Sequence, residues 1–207
     1  MTCMAECDTR QFALAVERDM QAWLERAVIG LNLCPFAKGV HVRGQIRYAV
    51  SRAQTPQALA QDLAHELQSL VAIDAGLRDT TLLMAPDCLP GFLEFNDFLA
   101  DADQVLIDLQ LDGVIQIASF HPDFQFANTS TNDIGNYTNR APYPTLHLLR
   151  EISVDRAVEA FPEAESIFQR NILAMEKLGH AGWAGLGLRR SVPRANAEPG
   201  PVRRAAR

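Results

Sequence analysis

Two apolar runs, Leu82 to Ala85 and Val114 to Ala118, constrain this chain most, because each is near-continuously hydrophobic and each is cut off abruptly, at Pro86 and at His121-Pro122. Runs of that kind suit strands covered on both faces. Between them Phe95, Phe98, Leu99, Ala102 and Leu106 recur on one side of a helix. Ahead of them Gln45 to Ser51 alternates like a strand, and Thr55-Pro56 then offers an N-cap with proline at the first helical position. The helix it opens carries the stripe Leu59, Leu63, Leu67 and Leu70 and leaves His65 on the far, solvated side. Strand, helix, strand, helix, strand predicts two right-handed crossovers and an α/β fold: a small parallel or mixed sheet with flanking helices.

The spacing of Val16, Met20, Trp23, Leu24, Ala27, Val28 and Leu31 predicts a first helix over about residues 9–31. Helical stretches are expected at about 144–150, 154–160 and 163–178, the last stopped by Gly179. The expected organisation is a single domain over 9–188, a disordered N-terminus over 1–8 and a disordered Arg-rich tail over 189–207. That tail carries six arginines against Glu198, and the formal charge of the whole chain is −6, so the body holds about −11. An acidic body argues against a general nucleic-acid surface and leaves only weak contact through the tail.

No run approaches the roughly 18 apolar residues of a membrane helix. The start, Met1 to Asp8, has acidic residues where a secretory leader needs basic ones, so a cytoplasmic setting is expected. The four cysteines, Cys3, Cys7, Cys34 and Cys88, form no Cys-x-x-Cys and read as reduced thiols.

Chemistry concentrates in four places. His121 stands at a strand's carboxyl end, where ligands collect in open α/β sheets; the plainer alternative is a strand-ending turn with Asp123. His147 and Glu151 are four apart and, on a short helix, would share one face and could share a metal or a proton. Cys34, in Leu33-Cys34-Pro35-Phe36, is either a packing thiol or a nucleophile. Asn132, Asp133, Asn136 and Arg140 lie in a long polar loop and could hold a carboxylate or phosphate, unless they stitch the loop to its own backbone.

Taken together, the strings Leu33-Cys34-Pro35-Phe36-Ala37, Ala118-Ser119-Phe120-His121-Pro122, Asn136-Tyr137-Thr138-Asn139-Arg140 and Leu146-His147-Leu148-Leu149-Arg150-Glu151 resemble the family called domain of unknown function 1415. The resemblance covers about Trp23 to Leu178 and implies membership, with no activity, cofactor or catalytic residue attached.

The residues themselves suggest a small-molecule enzyme in one of two forms. In the first, Cys34 is a nucleophile activated by His121 or His147, and Arg140 holds a small anionic substrate. In the second, His121, His147 and Glu151, with Cys34 or Asp123, bind a divalent metal such as zinc or iron. The competing class is a non-catalytic module that binds a small anion or a partner, with Cys34 and both histidines structural. Oligomeric state is not legible.

Overall fold

The computed structural model describes residues 2–160 and 166–194. Helix α1 (Thr2–Trp23) runs directly into a π-helical turn, Leu24–Ile29, followed by the short α2 (Ala37–Val42) and strand β1 (Ile46–Val50). Then come α3 (Pro56–Ala72), β2 (Thr80–Met84), α4 (Phe92–Asp108) and β3 (Ile115–Phe120). A 3-10 helix (Ile134–Asn139), β4 (Thr145–Arg150), α5 (Glu151–Ala160) and α6 (Ile167–Gly185) complete the elements of the described residues.

Helix α1 starts at Thr2, ahead of the expected residue 9; the added residues include the good helix formers Met4, Ala5 and Glu6. Helix α3 begins as its sequence dictates: the Thr55 hydroxyl accepts a hydrogen bond from the Ala58 amide and Pro56 opens the first turn. Its leucine stripe, Leu59, Leu63, Leu67 and Leu70, is fully buried, each side chain contributing about 2 kcal/mol of transfer free energy, while His65 is exposed. The expected helix from Glu163 starts outside the described residues. Gly179, foreseen as its end, does leave helical geometry (φ +62°), but the helix resumes and runs to Gly185.

The sheet order is β1-β2-β4-β3. β1 and β2 are parallel, as two crossovers require, but β4 is inserted antiparallel between β2 and β3, so the sheet is mixed. This corrects the helix expected over 144–150, and with it the helical face shared by His147 and Glu151: His147 is in the middle of β4 and Glu151 opens α5. The residues alternate once read at period two. Leu146 and Leu148 enter the core under α3 and α4, while His147 and Leu149 point to the other side. Two ladders of backbone hydrogen bonds, one to each neighbour, outweigh the mild helical preference of the leucines.

One face of the sheet packs on α3 and α4 around Phe95, Phe98 and Leu83. The opposite face meets α1 and the π turn through Val16, Met20, Trp23 and Leu24, which contact Leu82, Met84 and Tyr143. Residues 189–194, assigned to the tail on sequence, pack on the body with the segment that follows α6. Val192 is buried, and the Arg190 guanidinium donates to the carbonyls of Pro86, Pro142 and Val192. Residues 195–207, the rest of that tail, lie outside the described residues. No helix among the described residues is long and apolar enough to cross a membrane.

Candidate functional site

A cavity of about 790 Å³ opens on the face of the sheet shared with the π turn, within the size range of small-molecule sites. Strand register builds its floor. Cross-strand neighbours share a face, so Leu82, His147 and Ala118 form one row and Thr80, Leu149 and Gln116 the next. Trp23, Leu24 and Val28 supply one wall, Cys34, Phe36 and Val40 another, and Val154 and Ala157 of α5 a third. Trp23 meets Phe120 edge to face at 5.1 Å, which makes that end aromatic.

Two of the residues singled out from sequence, Cys34 and His147, therefore line one cavity although 113 positions apart. The His147 ring nitrogens have no hydrogen-bond partner among the described residues; its one ring contact is Phe120, at 6.2 Å. Burial pulls its pKa down to about 4, so the imidazole is neutral near pH 7. Cys34 is half-buried in the same wall, and Cys88, buried beneath α4 outside the cavity, has its thiol pKa raised by burial.

His121 is elsewhere. Phe120 looks into the cavity, and the next residue turns to the opposite side, where its ring stands 5.2 Å from Phe95 and 5.6 Å from Phe92. Both of its nitrogens are used: Nε2 donates to the Leu89 carbonyl at 3.2 Å and Nδ1 accepts from the Asp123 amide at 3.0 Å. It is fully buried, and burial lowers its pKa to about 4. That geometry is a locked turn.

The polar loop is stitched to itself. Asn136, fully buried, accepts from the Phe126 amide and the Thr129 hydroxyl and donates to the Ser130 carbonyl. Asp133 accepts from the Gly135 amide and caps the 3-10 helix, while Asn132 is exposed. Arg140 donates to the carbonyls of Phe124 and Thr131 and stacks 4.2 Å above Tyr137. It lines a separate cleft of about 300 Å³ with Arg189, Arg190 and Arg194, and not the large cavity.

The donor set for a metal does not assemble. His121 and His147 lie on opposite sides of the sheet, Glu151 does not line the cavity, and no three His, Cys, Asp or Glu side chains converge to hold an ion among the described residues. Sequence reading also passed over residues that shape the cavity: Arg43, Gln45, Asp79, Gln116, Ser153 and Arg156. Only β4's alternation could have hinted at Gln116 and His147 as neighbours; the rest are gathered by tertiary contact. The π turn that follows Trp23 and presents Leu24 and Val28 leaves no period of its own in six residues, yet such turns are rare and frequent at functional sites.

A family model described as a protein of unknown function (DUF1415) matches residues 15–185. No curated protein and no solved structure matches the chain.

Proposed function

The chain belongs to the DUF1415 family, and from that premise we propose that the cavity on the sheet is the substrate site of a small-molecule enzyme, with Cys34 its nucleophile and His147 the group that meets the substrate's polar atoms. What carries this reading is the meeting of Cys34 and His147 in one largely apolar cavity, with the imidazole free of hydrogen-bond partners among the described residues. A neutral histidine offers one donor and one acceptor, and a desolvated site strengthens both.

The lowered pKa of His147 supports one role over the other. At about 4 it is a poor resting base for a thiol whose free pKa is about 8.5, so it serves better as a hydrogen-bond partner for the substrate than as the base that activates Cys34. The non-catalytic binding reading draws on one observation as well: Cys34 and His147 make no hydrogen bond to each other among the described residues. Under both, the occupant is a small molecule.

Alkylation separates the two. With iodoacetamide at pH 7.5 and site-resolved mass spectrometry, Cys34 is expected to react at least several-fold faster than free glutathione in the same solution, a reference that is not slowed by burial as Cys88 is. Labelling of Cys34 no faster than glutathione would remove the nucleophile and leave a binding module.

A further inference from the structure

The cavity is polarised from end to end. At the end where β1 and β2 begin, its lining is a continuous polar rim: Arg43 Nε donates to Gln45 Oε1 at 2.6 Å, and Gln45 Nε2 donates to the Gly76 carbonyl at 2.7 Å. The Asp79 amide donates to the Gln45 carbonyl at 2.9 Å, and the Ser153 hydroxyl donates to Asp79 Oδ1 at 2.6 Å. Arg156 follows Ser153 by three residues on α5, one turn along the same helix, and also lines the cavity. The far end is Trp23 and Phe120, with Leu24, Val28 and Leu82 between.

Arg43 and Arg156 are both exposed, and neither has a carboxylate within ion-pair distance among the described residues. Among the described residues this rim sets against two guanidinium groups the single carboxylate of Asp79, already held by Ser153, so one positive charge there is unanswered. Guanidinium forks match a planar carboxylate in geometry as well as charge.

Building on the reading of the cavity as a small-molecule site, we infer that its occupant is an amphipathic carboxylate, the carboxylate lying at Arg43 and Arg156 and the apolar body running along Leu82 and Ala118 toward Trp23 and Phe120. One surplus positive charge matches one carboxylate better than a phosphate monoester, which carries close to two negative charges at neutral pH. The body then passes His147 and reaches the wall that holds Cys34, so the polar atoms that His147 meets are a second group along the body, apart from the carboxylate.

The test uses the full-length protein and two probes of equal chain length, decanoate and 1-decanol, titrated calorimetrically at pH 7.5. Decanoate is expected to bind at least tenfold tighter, about 1.4 kcal/mol, and the double variant Arg43→Gln/Arg156→Gln should remove that advantage while leaving decanol unchanged. Equal affinity of the two probes in the wild type overturns the inference and leaves the cavity reading standing. A preference for decanoate that survives in the double variant overturns the assignment of the rim. If neither probe binds while Cys34 still outpaces glutathione in alkylation, the amphipathic occupant falls and the nucleophile remains.

Discussion

The two histidines on either side of the sheet have similar pKa values for one shared reason and opposite structural consequences. Both are desolvated, which disfavours the imidazolium. His121 has spent its nitrogens on Leu89 and Asp123, whereas the His147 nitrogens have no partner among the described residues. From sequence, the strand-end position of His121 was visible but its orientation was not, because the turn after Phe120 decides which way the ring points. The sign of the pH effect follows from the lowered value: an unfolded chain takes up a proton near pH 6.5, the native His121 only near 4. Stability is therefore whole above about pH 6.5, declines as the pH falls toward 4, and does not fall further from this group below that. The loss amounts to something on the order of 3 kcal/mol at full extent. Urea midpoints measured from pH 7.5 to 5 in a His147→Gln background should drop through that window, and adding His121→Asn should flatten the drop while lowering the midpoint throughout. An unchanged slope would mean that His121 is not held neutral.

At the level of elements, patterns local to one segment were readable and those supplied by neighbours were not. α3, α4, β2 and β3 follow from their own periodicity and stop signals, and α3 shows its cap and its stripe in sequence order. β4 does not, because Thr145 to Arg150 is short, leucine-rich and compatible with a helix until β2 and β3 flank it. The site was legible in the same measure: Cys34 and His147 stood out as residue types, but what joins them is the strand register and the π turn. Their difference in origin predicts different mutational costs. Thr55→Ala removes one capping bond and should lower stability by about 1 kcal/mol. Leu148→Ala, at a fully buried position in a central strand, should lower it by about 3 kcal/mol through lost transfer energy and a cavity. Chemical denaturation of the two variants checks both, and a Leu148→Ala cost as small as that of Thr55→Ala would argue against a central β4.

Over the whole molecule, the chain's beginning and the segment after α6 are tied together through one acidic side chain. Asp19 of α1, almost fully buried, accepts from the Tyr143 hydroxyl at 2.6 Å, the Ser191 amide at 2.6 Å and the Ser191 hydroxyl at 2.9 Å. Three donors from two distant segments satisfy a charge that would otherwise be costly to bury. Burial together with the Asp19 hydrogen bond raises the Tyr143 pKa, so the phenol stays protonated as the donor in this arrangement. Beside it, Arg190 lies 4.7 Å over the Tyr143 ring and, on Asp123, Arg194 makes an exposed bidentate pair that contributes little by comparison. Asp19→Ala leaves the buried Tyr143 hydroxyl without its acceptor and frees the Ser191 amide to water, and a loss of about 2 kcal/mol follows from the orphaned hydroxyl. Arg194→Ala, removing only the exposed pair, should cost less than about 1 kcal/mol. Urea unfolding of the two variants, followed both by circular dichroism and by limited proteolysis near residue 190, would show Asp19→Ala losing the segment first. If cleavage there stays as slow as in the wild type while global stability falls, Asp19 holds α1 to Tyr143 alone and the segment is anchored by Arg190 and Val192.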